Sequence, residues 1–318
     1  MFGNPSNPRG DAATLLKQHG WTNGNWLKSR FHFHFAEYHD SSNRNDRYGV
    51  LRVMNDDLVQ PATGFGRHPH RDMEIVTYVV EGELTHQDSG TGGSGMPETL
   101  GRGAVQYMSA GTGVMHSEHN RNLKSPCRFI QMWIVPRSRG LKPQYGGKEF
   151  SAPLRANRWC HMVGDAAASA AAVGFFAGLP DADGAVAADC GAPAVVVQQD
   201  VNILSAEVAA GKSLTLPVRP GRQAYLLVTE TGTPLLSSEG ARAQAIAAGT
   251  AFDDKALTSV AVAYAGAAAV KFDVHDAAEV RGPDLADKAE AVPLTVTGPG
   301  HFLVVEMAKD SSGRADLP

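Results

Sequence analysis

From Arg30 to Val135 the chain advances in short β-rich runs separated by turn residues, a rhythm that restricts it to a sandwich or a barrel. Val50-Leu51-Arg52-Val53-Met54 is one run, and Asn55-Asp56-Asp57 reads as the turn that ends it. Glu74 to Val80 is another, closed by Glu81-Gly82-Glu83, and Phe129 to Val135 is stopped by Pro136. Glu83 to Asp88 leads into Ser89-Gly90-Thr91-Gly92-Gly93-Ser94-Gly95, a predicted hairpin loop. No helix with a Lys-Ser/Thr pair follows these glycines, which argues against a phosphate cradle. Further β-like runs lie at Ala194 to Val197, Ser213 to Val218, Tyr225 to Thr229 and His301 to Met307.

With 318 residues the chain is long enough for two domains. The expected boundary falls in Gly140 to Lys148, giving an N-terminal domain of residues 1–147 and a C-terminal domain of residues 148–318. Two Ala-rich stretches of the second, 164–195 and 240–270, look like insertions, and Ala167 to Ala172 can form a short helix. A divergent duplication is also visible. Matching Gly82 to Gly232 gives an offset of 150 and places His68 on Val218, His70 on Pro220 and Glu74 on Ala224. If the halves share a fold, the second has lost the polar residues of the first.

Hydrophobic residues make up 43% of the chain and the net charge is −4, which offers no electrostatic footprint for nucleic acid or an anionic membrane. No stretch reaches the roughly 20 apolar residues of a membrane-spanning helix. Met1 to Arg9 lacks the apolar core of a secretory signal. Cys127, Cys160 and Cys190 are far apart and form no CxxC pair, so they read as buried thiols in a reducing compartment. The expectation is a cytoplasmic monomer with no membrane partner and no direct nucleic-acid contact.

The chemistry concentrates in two segments. In Gly64-Phe65-Gly66-Arg67-His68-Pro69-His70-Arg71-Asp72-Met73-Glu74, residues two apart on a strand share a face, so His68 and His70 can aim two imidazoles into one interior. Pro69 cannot donate to a ladder and suggests a strand start or an edge. In Ser109-Ala110-Gly111-Thr112-Gly113-Val114-Met115-His116-Ser117-Glu118, His116 and Glu118 repeat that spacing. Three imidazoles and one carboxylate suit iron, nickel, copper or zinc and leave coordination positions open, the mark of a catalytic site. A lone His-x-His arises by chance; two same-face pairs beside glycine turns carry the weight. Glu74 shares the parity of His70 and reads as a neighbouring, hydrogen-bonded or salt-bridged carboxylate.

The remaining histidines read as bland. His32 and His34 alternate with Phe31, Phe33 and Phe35 and have no partner pair, so they mark a strand with one apolar face. His86, His119 and His161 read as surface or hydrogen-bonded, and His19, His39, His275 and His301 have no constellation. Asp253-Asp254 reads as a turn. No G-x-S-x-G elbow and no strand–G-x-G-x-x-G–helix unit is present. Phe65, Met73, Met115 and Trp133 lie near the ligand motifs and read as core.

The run GFGRHPHRDMEIVTYVVEGELTHQDS, followed by YMSAGTGVMHSEHN, resembles the pirin family of the cupin superfamily. WLKSRFHFHFAEYHD and GVLRVMNDDLV are similar to the bacterial, quercetinase-type pirins, and the likeness is dense from Gly20 to Tyr145. The resemblance implies an all-β fold of two jelly-roll (cupin) β-barrels packed face to face, with metal in the first barrel only. It implies His68, His70, His116 and Glu118 as ligands, with Glu118 as the catalytic base candidate. It implies Fe(II) as the usual metal, with nickel, manganese, cobalt, copper or zinc as alternatives. The activity it implies is that of a quercetin 2,4-dioxygenase, consuming a flavonol and dioxygen and releasing carbon monoxide. Two other functions are compatible with the same ligands: a redox-sensing regulatory protein acting through protein partners, and a cupin with another small-molecule substrate.

Overall fold

The computed structural model describes residues 13–16, 26–33, 47–90, 95–186, 193–231, 260–264, 268–286 and 289–309. The first half carries strands β1 (Ala13–Leu16), β2 (Leu27–Phe33), β3 (Leu51–Val59), β4 (Thr63–His70), β5 (Glu74–Glu81) and β6 (Leu84–Asp88). It continues with β7 (Glu98–Leu100), β8 (Val105–Ser109), β9 (Val114–Asn120), β10 (Cys127–Ile134) and β11 (Gln144–Lys148). The second half has α1 (Ala152–Arg155), β12 (Cys160–Asp165), α2 (Ala170–Ala177), β13 (Val195–Val197), β14 (Val201–Val208) and β15 (Ser213–Val218). It ends with β16 (Arg222–Thr231), β17 (Val260–Tyr264), β18 (Val270–Phe272), β19 (Ala277–Arg281), β20 (Val292–Thr297) and β21 (Gly300–Ala308).

The fold is all-β: two jelly-roll barrels, each a large sheet facing a small one. The first pairs a six-stranded sheet, β11-β8-β5-β10-β3-β2, with β4-β9-β6-β7. The second pairs β1-β19-β16-β21-β14-β12-β13 with β15-β20-β17-β18. β11, which spans the expected division at residue 147, pairs with β8 of the first set through Lys148, and β1 leaves the first half to hydrogen-bond β19.

Alternation along the strands decides how the barrels meet. β5 is buried along nearly its whole length, so both of its faces are covered. Its even positions Val76, Tyr78 and Val80 pack in one cluster with Ile130 and Met132 of β10 and with Ile203, Tyr225, Leu303 and Val305 of the second half. The two large sheets therefore lie face to face, and each fully buried aliphatic side chain of this seam stabilises by about 1.5–3 kcal/mol. The odd positions of β5 look into its own barrel, Val79 among Val59, Leu84 and Phe129, and Ile75 beside Met108 and Val114. Gly82, at φ +74°, makes the turn out of β5, where a Cβ would meet the Pro126 carbonyl oxygen at 2.4 Å.

The second barrel is filled differently. Leu204, Leu214, Leu216, Val218, Ala224, Leu226, Val296 and Phe302 form an apolar interior. The duplication offset holds at two strand ends, β4 starting at 63 and β15 at 213, β5 ending at 81 and β16 at 231, and is 148 at their other ends. Val218, the counterpart of His68, is fully buried in that core. Gly232 lies outside the described residues.

Three expectations change. Asn55-Asp56-Asp57 is no turn but lies within β3, because Asp56 is paired with Arg128 and His275 and Asp57 accepts a hydrogen bond from Ser29. Tertiary charge pairing outweighs the turn preference of these residues. The helix expected at 167–172 is α2 at 170–177, started by Ser169, whose hydroxyl accepts from the Ala172 amide at 3.2 Å. Its Phe176 belongs to the core of the second barrel, so this Ala-rich stretch is partly structural rather than a surface insertion. Of the second Ala-rich stretch, residues 240–259 and 265–267 lie outside the described residues, as does Asp253-Asp254; residues 260–264 form β17. Cys127 and Cys160 are buried, and Cys190 lies outside the described residues.

Candidate metal centre

The inner wall of the six-stranded sheet is apolar at both ends and polar in the middle. Along β5 it reads Ile75, Thr77, Val79; along β10, Trp133, Gln131, Phe129; on β8, Gln106 precedes Met108. Opposite this polar band stand β4 and β9, which pair antiparallel with His68 directly across from His116. β4 is an edge strand, which accommodates Pro69 without a lost ladder bond. Between Phe65 and His68 the register slips by one residue. Phe65 lies opposite the inward Glu118 and packs on Phe129, yet His68, an odd number of positions later, also faces inward. The bulge absorbs Gly66 and Arg67 on the exposed side and re-aims the strand.

The ligand atoms of His68, His70 and His116 lie within 4.8 Å of one another, and a second, overlapping group of the same span joins His116 to His86 and Glu118. Three of the four expected residues are thus in one group, and Glu118 belongs to its neighbour through the shared His116. The rings are close: His68 and His116 centroids are 4.4 Å apart, and His70 stands 4.8 Å from each. His116 Nε2 and His68 Nε2 are 2.9 Å apart. His68 Nδ1 donates to the Gly66 carbonyl at 2.7 Å, so its Nε2 keeps a lone pair toward the group. His116 and Glu118 are buried, whereas His68 and His70 are half-buried with exposed neighbours, so the group opens to solvent on the β4 side.

The donor set fits a divalent transition ion. Burial, reinforced by the neighbouring His116 and His68, pushes the His70 imidazole down to about 3. Burial beside His68 and His86 holds His116 well below the ordinary imidazole range. Both rings are therefore neutral near pH 7, the form that ligates. Glu118 accepts from Gln106 Nε2 at 3.2 Å on one oxygen and from Gln131 Nε2 at 2.9 Å on the other. Gln131 in turn accepts from Trp133 Nε1 at 3.0 Å, and the Trp133 ring stands edge-on to His70 at 4.8 Å. Trp133 was read as plain core; it links one imidazole to the carboxylate.

Glu74 is fully buried and turned away from the imidazoles. It accepts from Tyr107 at 3.0 Å, from Ser109 at 2.6 Å and from the Gln198 amide of the second half at 3.0 Å. This agrees with a hydrogen-bonded role outside the ligand set. His86 is the residue that sequence reasoning undervalued: it is 1% exposed, 3.3 Å from His116 Nδ1 and stacked on Tyr145 at 4.3 Å. Gln106 and Gln131 gave no signal at all, since each is a single polar residue in an apolar run. His275 and His301 also have partners, Asp56 at 2.7 Å and Glu230 at 2.9 Å, inside the seam between the barrels. His32 is buried against the Tyr225 hydroxyl at 3.0 Å, so the histidine face of β2 meets the second half, and His34 lies outside the described residues. His161 bonds Asn202 at 3.0 Å, as expected for a hydrogen-bonded histidine. No helix among the described residues is long and apolar enough to cross a membrane.

Comparison with known proteins places these features in context. The family model described as Pirin matches residues 14–134. A pirin-like protein of Caulobacter vibrioides is 36% identical over 248 residues, which is 76% of this chain and 94% of that protein. A quercetin 2,3-dioxygenase of Escherichia coli is 43% identical over 135 residues, 42% of this chain and 56% of that protein. The crystal structure of the E. coli bacterial pirin YhhW in complex with nickel(II) superposes with a TM-score of 0.65 at 24% identity, covering 94% of this chain and all of the other.

Proposed function

The chain belongs to the pirin family, and from that premise we propose that it is a metal-dependent dioxygenase that opens a flavonol such as quercetin. The observation that carries this reading is the solvent-facing group of three imidazoles set against a buried carboxylate. The similar E. coli protein named quercetin 2,3-dioxygenase supports the substrate class. The nickel(II) complex of an E. coli pirin supports a divalent metal. In this reading His68, His70 and His116 hold the ion and Glu118 completes the set. Fe(II) is the assigned metal, with the other divalent transition ions as competitors.

When bound, the ion supplies Lewis acidity and a redox-active centre for dioxygen chemistry. The chain's own residues do the rest. Glu118 takes the proton of the flavonol 3-hydroxyl, and the amides of Gln106 and Gln131 keep its carboxylate aimed. The half-buried His68 and His70 mark the side from which substrate enters. Ile75, Met108 and Val114 form the apolar end of the interior that excludes water from the proton transfer. The overall reaction balances: both atoms of dioxygen enter the products, one carbon of the ring leaves as carbon monoxide, and no external reductant is consumed.

The test is metal analysis of protein purified without added metal, then anaerobic loading with Fe(II) or Ni(II) and admission of air. The expected result is loss of flavonol absorbance with release of carbon monoxide. Metal-loaded protein that leaves quercetin and related flavonols untouched refutes the assignment.

A further inference from the structure

We infer, resting on the metal-site reading above, that Asp88, His86 and Gln106 are a positioning relay that presents His116 Nε2 and the Glu118 carboxylate to the ion. All three lie on strands other than β4 and β9. His86 of β6 is the cross-strand partner of Glu118, and Asp88 that of His116. The His86 ring is clamped: it stacks on Tyr145 with an interplanar angle of 14°, and the Tyr145 hydroxyl donates to Glu98 at 2.6 Å.

The proton positions follow from one charged group. A carboxylate oxygen only accepts, so the Gln106 atom 3.2 Å from Glu118 is the amide nitrogen. This orientation leaves Gln106 Oε1 buried with no partner among the described residues, a cost the amide bears rather than turn its oxygen to the carboxylate. The second N–H of that amide points at His86 Nδ1, 2.8 Å away, which makes Nδ1 an acceptor. His86 therefore carries its proton on Nε2, which faces the buried Asp88 carboxylate at 3.7 Å, a charge contact longer than a hydrogen bond. His116 Nδ1, 3.3 Å from His86 Nδ1, is then placed as the protonated nitrogen, a second and weaker donor to the acceptor that Gln106 already engages. That leaves His116 Nε2 and His68 Nε2, the latter unprotonated through the Gly66 contact, as two lone pairs facing at 2.9 Å, an arrangement that a cation between them reconciles. Outer groups that fix the tautomer and aim of a metal-binding imidazole govern affinity strongly.

The close grouping of His86, His116 and Glu118 raises the alternative of a second cation between them. The Gln106 amide decides against it, because its nitrogen sits between His86 and Glu118 and donates to both.

The experiment uses the full chain, labelled with 15N-histidine and loaded with diamagnetic Zn(II), together with Ni(II) affinity of the stripped protein measured by chelator competition. Long-range proton–nitrogen correlation should show His86 protonated at Nε2 and His116 at Nδ1. Asp88→Asn is isosteric but offers a donor to His86 Nε2. It should shift His86 to the Nδ1–H form and weaken Ni(II) binding by roughly 10–100-fold. His86→Leu should weaken it similarly, while His86→Asn, whose Oδ1 replaces the Nδ1 acceptor, should restore most of the affinity. A His86 ring protonated at Nδ1 in the unmutated protein overturns the relay. So does wild-type Ni(II) affinity in both Asp88→Asn and His86→Leu. If His116→Ala instead keeps stoichiometric Ni(II), the metal-site reading itself has failed, a distinguishable outcome.

Discussion

Replacing Arg128 by Met probes the seam that joins the barrels. Arg128 and Asp56 are 1% and 0% exposed, and the guanidinium grips the carboxylate through Nε at 2.8 Å and Nη2 at 2.7 Å. His275, from the second half, stands 2.7 Å from the same Asp56 oxygen. Burial alone would push the Asp56 carboxyl up, but Arg128 and His275 outweigh it and hold it well below the usual carboxylate range. Burial, then the Arg128 charge, pushes His275 down to about 3, against the pull of Asp56. Methionine keeps most of the aliphatic volume and strands a buried carboxylate, so the variant should lose about 3–5 kcal/mol at pH 8.

The pH dependence gives the sharper test. Below about pH 6.5 the unfolded chain protonates His275 while the folded wild type keeps it neutral down to about pH 3. Stability of the wild type therefore falls toward acid, by at most about 1.4 kcal/mol per pH unit from this group. In Arg128→Met, the Asp56–His275 pair has lost its cation and binds one proton in the folded state. The acid loss disappears, and the penalty of the substitution should shrink by about 2 kcal/mol between pH 6.5 and 5. Urea unfolding at pH 8, 6.5 and 5 reads this directly. A penalty under about 1 kcal/mol at pH 8, or one that grows toward acid, refutes the reasoning.

Other outcomes follow from the same geometry. His116→Ala removes the nitrogen donor common to both groups and should weaken metal binding by roughly 100-fold or more, about a quarter of a four-ligand binding energy; elemental analysis showing stoichiometric metal contradicts this. In Gly64→Ala the new Cβ would lie 2.3 Å from the Glu118 carbonyl oxygen and 2.5 Å from His119 Cα, both backbone atoms. Prising β4 from β9 should cost about 1–3 kcal/mol in a thermal melt and lower metal occupancy with it. Glu118→Gln sets an amide against the donors Gln106 and Gln131 and removes the proposed base. Flavonol turnover of the metal-loaded variant should fall by roughly 10²–10⁴-fold with the fold retained by circular dichroism, and near-normal turnover would exclude Glu118 as the base.

Much of the centre was written into local spacing. Strand alternation is a property of a few adjacent residues, so His68-Pro69-His70 and His116-Ser117-Glu118 announced their shared faces without any knowledge of the fold. The same local logic gave β15 its boundaries and, through the offset of 150, emptied the second barrel of ligands. What the sequence could not carry was the partner across the barrel. His86 is one of several polar residues on β6, and Gln106 and Gln131 stand among apolar neighbours on β8 and β10, so none of the three has a pattern to read. Their convergence on His116 and Glu118 depends on strand registers set over the whole barrel. Asp56 reads as a turn residue until Arg128 and His275 are beside it, and His275 lies 219 positions away in the chain. Periodicity fixed which way the clustered imidazoles and the carboxylate point; only the closed tertiary structure decided which groups hold them there, because facing is a short-range property of the backbone and pairing is a long-range one.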